Sequence, residues 1–500
     1  MKLIRNNEHI IICGGGLLNT NVTKNYLYNL IYQIAVLIIP LITAPYLSRI
    51  LGAEGIGVYS YNYSIAYYFC LFVMLGVNNY GNRSIAKCLG LKERINRVFC
   101  EIFYMQFIIG IIVMIVYLVY ALLISENSYI ALCYTPFLIS YMLDVTWLFF
   151  GQEDFKIILI RNLIVKVITA LAIFTLVKNQ SDVIMYILIM SIGALLSQLI
   201  VWPKVLKENR LLHIKNSDVL KHLKPNIILF IPVIAVSIYR TMDKIMLGSM
   251  STMIQVGYYE NSEKLISILL SFITALGTVM LPRMSALYES KDDEQIQKML
   301  SNSIVFVSFA ASLVSCGVAS IATNLVVVYY GKEYIDSGII LQLLCVTVPC
   351  ISYANIVRMQ ILVPQGKDKA YVLSCFVGAI INLVFNTILI PSMQGTGAAI
   401  GTIAAETSVL ITQIAFSKEK INLKYERKTI ICVWLNAILM FAIVTIIGSF
   451  MQIGPISLLI QIFVGTISYI ILFILQWKIG KDPYINVVVG FLNNKIRKRI

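Results

Sequence analysis

The sequence predicts an all-α integral membrane protein with about 14 transmembrane helices. They form two pseudo-symmetric six-helix lobes plus two C-terminal helices, with both termini on the cytoplasmic side. Three observations predict this. Of 500 residues, 59% are hydrophobic and only 13% charged, whereas soluble domains carry about a quarter charged residues. The apolar residues gather in stretches of about 20, the length that spans a bilayer core. The basic residues collect in every second connection, as cytoplasmic loops do.

The stretches run in order over 27–48, 58–80, 98–123, 129–150, 157–177, 183–203, 226–247, 262–282, 302–330, 338–362, 370–391, 396–416, 430–450 and 454–477. A soluble helical core cannot bury so many. With the N-terminus inside, the inner connections hold 33 of the 40 Lys and Arg. Three precede the first helix, five lie at 83–97, three at 156–166, six at 204–224, three at 283–298, two at 367–369, five at 418–428 and six after 477. The inverse topology would reverse this bias. Trp147, Trp202, Trp434 and Trp477 fall near predicted inner helix ends, where interfacial anchoring places them. The net charge of +15 is mostly the same bias, and with no nucleic-acid-binding module in the sequence, nucleic acid is not expected as a partner.

The domain plan is a cytoplasmic tail at 1–26, an N-lobe at 27–203, a cytoplasmic linker at 204–225, a C-lobe at 226–416, two further helices in 430–477 and a basic cytoplasmic tail at 478–500. In the first tail, "HIIICGGGLL" is too short to span and lacks a clear small-residue cleavage site, so it makes a poor signal peptide. Its glycines open no strand-turn-helix unit, which argues against a phosphate loop. The ten cysteines have no C-x-x-C spacing and read as packing residues. His9, His213 and His222 lack metal-ligand spacing, so neither a metal nor a cofactor is expected. The acidic run Glu289, Asp292, Asp293, Glu294 reads as a solvated connector. The outer connections are short, the longest being 248–261, which leaves no room for an external catalytic domain.

Helices 1 and 2 resemble helices 7 and 8. "GVYSYNYSI" from Gly57 answers "GYYENSEKL" from Gly257, Leu75-Gly76 answers Leu276-Gly277, and Arg83-x-x-Ala86 answers Arg283-x-x-Ala286. Arg49 with Gly52 is matched to Lys244 with Gly248. Six helices separate the copies, so the repeat is parallel, related by an axis along the membrane normal. Two like-oriented lobes favour a transporter over a channel or an enzyme.

The segments "LSRILGAEGIGVYSYNYSIAYYFCLFVMLGVNNYGNRSIAK", "DVTWLFFGQEDFK" and "DKIMLGSMSTMIQVGYYENSEKL" resemble the bacterial polysaccharide biosynthesis, or O-antigen flippase, family. It belongs to the multidrug, oligosaccharidyl-lipid and polysaccharide exporter superfamily. The resemblance covers about 25 to 480 and implies an undecaprenyl-pyrophosphate-linked glycan as substrate, flipped across the bacterial plasma (inner) membrane. It also implies a polysaccharide polymerase and glycosyltransferases as partners. A cation-coupled multidrug exporter, a lipid II-type flippase and a membrane glycan polymerase or ligase are the competing readings.

A pyrophosphate crossing hydrocarbon needs fixed cations, and the planar fork of Arg suits phosphate oxygens. Charges within membrane segments are costly and usually face a cavity. Arg49, Arg240, Lys244, Lys264 and Arg358 are therefore the candidates for a cationic cavity. Snorkelling to the headgroups is the alternative for Arg49 and Lys244, an interfacial position for Arg358, and an intrahelical pair with Asp243 for Arg240. Glu406, Asp243 and Asp144 are candidates for coupling to H+ or Na+, although Asp144 also suits a structural hydrogen-bonding role. Tyr59, Asn62 and Tyr63 are candidate sugar-facing groups, with helix packing as the alternative.

Overall fold

A computed structural model of the chain describes residues 11–12, 17–18, 20–417 and 426–480, with side chains over 38–238, 240–417 and 426–476. Most of both expected tails, and most of the basic segment at 418–428, lie outside the described residues. The helices in chain order are α1 (Thr20–Met74), α2 (Val77–Ala86), α3 (Lys92–Leu123), α4 (Ser128–Leu132), α5 (Thr135–Met142), α6 (Thr146–Gly151), α7 (Phe155–Leu176), α8 (Val183–Leu199) and α9 (Trp202–Glu208). They continue as α10 (Asn216–Leu220), α11 (Leu223–Met250), α12 (Met253–Ser290), α13 (Asp293–Tyr330), α14 (Ser337–Leu344), α15 (Thr347–Val357), α16 (Asp368–Ser417), α17 (Arg427–Ser449) and α18 (Pro455–Gly480). Among the described residues, β structure is confined to an antiparallel pair of two-residue strands, Ile11–Ile12 with Leu17–Leu18.

Among the described residues, twelve helical stretches are long and apolar enough to cross a membrane. Two of them, Ile38–Ala86 and Asp368–Ser417, are 49 and 50 residues long. At 1.5 Å per residue such a length far exceeds a hydrocarbon core of about 30 Å. Each is broken inside, at Gly52 (φ 69°) and at Gln394 (φ 51°). A Cβ on Gly397 would come within 2.6 Å of the Leu389 carbonyl, and one on Gly401 within 2.1 Å of Asn386 Oδ1. Such contacts across the break show that α16 folds back on itself at Gln394. Large apolar side chains lie bare along these helices, among them Leu123, Ile168, Phe272, Ile388 and Phe463. Their number is what lipid contact explains and water does not. The protein is a multi-pass membrane protein.

The chain forms two compact units. The first comprises residues up to Ile50 and Asn62–Val233. Its core centres on Trp147, which is fully buried among Phe99, Phe103, Ile85 and Val145. Gly81 lies against the indole, where a Cβ would sit 2.5 Å from the ring. The indole N–H donates to Gln106 Oε1 at 3.1 Å, and Gln106 Nε2 donates to the Tyr141 and Asp144 carbonyls at 2.8 and 2.9 Å. Those carbonyls are exposed by the break between α5 and α6, and in hydrocarbon they must be satisfied internally. Trp147 is thus a core residue, correcting its reading as an interfacial anchor. The linker after residue 203 is also less solvated than expected. Its Arg210 and Leu212 carbonyls accept from Cys100 Sγ (3.4 Å) and Tyr104 (3.0 Å) on α3.

The second unit comprises Leu51–Tyr61 and residues from Ile234 onward. Here α17 and α18 pack on α13: Asn324 Nδ2 donates to Ser457 and Gln461 at 3.1 and 2.8 Å. The acidic run places Asp292 as N-cap of α13, accepting from Gln295 N at 3.0 Å, with Asp293 and Glu294 in the first turn. Carboxylates at that end oppose the helix dipole favourably.

The expected outer connection 248–261 is reduced to Ser251 and Thr252, because α12 starts at Met253. Two helix starts then cross backbone against backbone. A Cβ on Gly57 would lie 1.7 Å from the Met253 carbonyl oxygen, and one on Gly257 would lie 1.9 Å from that of Ala53. The two contacts exchange under an offset of 200 residues, and Ser60 donates to Glu260 at 2.8 Å across the same offset. A local two-fold therefore relates these starts. The residue matching the Gly52 break is Thr252, not Gly248, and Gly248 instead packs on the Tyr61 ring.

Gly257→Val drives a side chain into a main-chain oxygen, so it should destabilise the protein by about 3 kcal/mol. Gly454→Ala, with no atom within 4 Å of the added Cβ, should stay within about 0.5 kcal/mol of wild type. Thermal unfolding in detergent measures both; equal effects would contradict the crossing.

Candidate functional site

Asp243 lies on α11, 2% exposed, and an isolated carboxylate there would be very costly. Neutral donors from α12 and from both limbs of α16 surround it. Asn382 and Asn386, one turn apart, donate to Oδ1 at 2.8 and 2.6 Å. Tyr259 donates to Oδ2 at 2.7 Å, and the Thr402 hydroxyl lies 3.0 Å from the same oxygen. The fold-back at Gln394 puts Asn386 and Thr402 on one group. Gly401 leaves room for the Asn386 amide beside it.

The proton count at this centre is informative. Tyr259 and Thr402 carry one hydroxyl proton each. Yet the two hydroxyls are 2.8 Å apart, and Thr402 is also 2.9 Å from the Ala398 carbonyl. With their two contacts to Asp243, that makes four short O···O contacts for two protons while the carboxylate is ionised. The two hydroxyl protons therefore choose among these acceptors. Among the described residues no three His, Cys, Asp or Glu side chains form a metal cluster.

One turn away on both helices lies a polar cavity of about 180 Å³ lined by Arg240, Arg358, Glu406, Tyr371, Asn355 and Gln413. Arg240 precedes Asp243 by three residues on α11, and Glu406 follows Thr402 by four on α16. Arg358 opens a π-helical turn, Arg358–Leu362, that continues α15. Such turns shift the side-chain register by one residue and recur at functional positions. Its Nη1 donates to Tyr371 at 3.1 Å, and its guanidinium stacks over that ring at 5.1 Å. Its buried Nε has no hydrogen-bond partner among the described residues. The structure thus brings Arg240, Arg358 and Glu406 to one cavity.

The remaining candidates lie elsewhere. Lys244 Nζ is held at 2.7 Å from Glu260 and 3.0 Å from Glu263. Its charge is thus shared between two carboxylates. Lys264 is half-buried beside these acids on α12. Arg49 is exposed, three residues before the Gly52 break. Asp144 Oδ1 accepts from Thr146 N at 2.8 Å and tightens the turn between α5 and α6. Tyr63 packs on Tyr67 and Phe137, with ring centroids at 6.1 and 5.3 Å. Tyr59 and Asn62 are half-buried. Sequence reasoning missed Tyr259, Glu260, Glu263, Asn382, Asn386 and Thr402; Asn382-x-x-x-Asn386 in an apolar helix was the available signal.

Residues 22–288 match the family described as "Polysaccharide biosynthesis protein". The putative O-antigen transporter of Shigella dysenteriae is 26% identical over 396 residues, covering 78% of this chain and 98% of the relative. That of Escherichia coli K12 is 25% identical over 410 residues, covering 80% and 98%. Among solved structures, the lipid II flippase MurJ in an inward closed conformation superposes with a TM-score of 0.76 at 15% identity, covering 90% of this chain and 99% of that one. The last likeness establishes the fold.

Lys244→Ala leaves two half-buried carboxylates facing each other and should cost about 1–3 kcal/mol. Adding Glu260→Gln should recover part of the loss. Chemical denaturation of the single and double variants measures the coupling; a Lys244→Ala effect no larger than that of exposed Lys298→Ala would refute the ion cluster.

Proposed function

The chain belongs to the polysaccharide biosynthesis protein family, and from that premise we propose that it is a flippase, not an enzyme. Its substrate in this reading is an undecaprenyl-pyrophosphate-linked oligosaccharide. The protein moves it from the inner to the outer leaflet of the bacterial plasma membrane by alternating access. Glycosyltransferases build the unit on the cytoplasmic side, and a polymerase extends it outside into O-antigen, capsule or exopolysaccharide. The names of the curated relatives support the transport class.

The observation that carries the reading is the placement of Arg240 and Arg358 on one cavity. Guanidinium groups within membrane helices are expensive, and an anion is what repays them. Arg358 keeps an unused buried donor, and a planar fork binds phosphate oxygens in pairs. At about 180 Å³ the cavity falls below the ~300–1,000 Å³ of drug-sized pockets. It suits a phosphate group, with sugar and polyprenyl tail outside it.

Ion coupling belongs to Asp243 in this reading. Its oxygens, with those of Thr402 and Ala398, take up H+ or Na+. Because α11 and α16 also carry Arg240 and Glu406, a charge arriving at Asp243 is felt one turn away. Asp243→Asn places an amide where four donors already converge and so removes both charge and acceptor.

In proteoliposomes with a labelled polyprenyl-pyrophosphate oligosaccharide, wild type should expose label to an external glycosidase. Arg240→Ala and Arg358→Ala should each lower the initial rate at least tenfold at equal protein incorporation. Wild-type rates in both variants would overturn the anion site. Imposed Na+ or pH gradients should accelerate wild type and leave Asp243→Asn unaffected; a gradient response retained in Asp243→Asn would move the coupling elsewhere.

A further inference from the structure

A second, larger polar cavity takes no part in that reading. It lies in the first unit, has a volume of about 930 Å³, and is framed by α2, the connection to α3, the start of α3 and the residues just before α11. Five cations line it: Lys87, Lys92, Arg94, Arg97 and Lys221. Glu93 and Glu101 also line it, and Asp218 borders it through its pairs with Arg97 and Lys221.

The acids at its floor are already committed. Glu101, 2% exposed, accepts from Arg97 Nε at 3.0 Å, Lys221 Nζ at 3.0 Å and His222 Nε2 at 2.9 Å. His222 Nδ1 is 2.8 Å from the Tyr80 hydroxyl. Lys87, Lys92 and Arg94 are exposed and form no ion pair among the described residues. Lys92, Glu93 and Arg94 occupy the first turn of a 32-residue helix, a net single positive charge, and its N-cap, Leu91, offers no side-chain acceptor. Cations at the positive end of a helix repel its dipole, and unused N–H groups there attract an anion. Gly90, at φ +86° with no atom within 4 Å of a Cβ position, lets a ligand approach the main chain beside them.

We propose that this cavity binds a phosphoryl or pyrophosphoryl group. The group belongs either to the headgroup of an anionic lipid or to a soluble phosphate compound. The cavity holds cations in excess, uncapped backbone donors and a buried, neutralised floor. The connection 83–97 is among those whose basic content marks the cytoplasmic side, where both sources occur. The site is separate from Arg240 and Arg358 and stands whether or not those residues bind substrate.

The test uses the full chain in nanodiscs of neutral lipid, titrated with inorganic pyrophosphate in a calorimeter. A saturable site should weaken at least tenfold in the Lys92→Ala/Arg94→Ala variant. It should persist in Arg358→Ala and in Lys298→Ala/Lys428→Ala, which removes the same charge elsewhere. Repeating the titration in phosphatidylglycerol nanodiscs separates the sources. Loss of pyrophosphate binding there, with phosphatidylglycerol retained by wild type but not by the double variant in native mass spectrometry, assigns the site to a lipid headgroup. Undiminished binding assigns it to a soluble phosphate. Absence of saturable binding together with equal lipid retention, or equal affinity in wild type and Lys92→Ala/Arg94→Ala, overturns the proposal.

Discussion

The second unit depends on two glycines that let main chain touch main chain. With Cβ positions 1.7 and 1.9 Å from carbonyl oxygens, residues 57 and 257 admit glycine alone. Small residues at helix crossings are the membrane counterpart of a well-packed core, because lipid supplies no hydrophobic drive between helices. The contact fixes the rotation of α12 about its axis. Two residues on, Tyr259 reaches Asp243; three residues on, Glu260 meets Ser60 and Lys244. One steric requirement therefore sets both the donor shell of the buried carboxylate and the fate of the nearest lysine.

The same constraint explains what the sequence made legible. A repeat at an offset near 200 is visible as Gly57 and Gly257, and those are the crossing positions. The all-helical membrane fold and its apolar spans follow from length and hydropathy. Helix starts do not. Placing α12 at 262 rather than Met253 leaves Glu260 in an apparent outer loop and Glu263 at the very start of the helix, where acids need no explanation. With the start at Met253, Glu260 too falls inside the helix, a turn from Glu263, and the partner of both is Lys244. Hydropathy underestimates a helix whose first turns are polar because they pack on one another rather than on lipid.

Charge patterning identifies intramembrane cations but not their compensation. Lys244 and Arg358 look alike in sequence, one basic residue each in an apolar run. Lys244 meets two carboxylates, whereas Arg358 meets a tyrosine and keeps a donor. The difference lies in residues remote along the chain, which periodicity cannot pair. The shell of Asp243 is remote in the same way, its donors coming from 16 to 159 positions away. Asn382 and Asn386 alone carry a local sign, since two amides at helical spacing in an apolar segment require a shared acceptor.

The repeat is also asymmetric in its chemistry. Where the second copy carries Lys244, Glu260 and Glu263, the matching positions of the first are Ala44, Ser60 and Tyr63. Asp243 corresponds to Thr43, which spends its hydroxyl on the Ile39 carbonyl one turn back. Duplication thus accounts for the shared crossing, while the Lys244–Glu260–Glu263 cluster belongs to the second copy alone. The first unit buries Glu101 at the floor of the 930 Å³ cavity and leaves Lys87, Lys92 and Arg94 exposed around it. A buried charge acts on the helices packed around it, and an exposed one mainly on what arrives from outside.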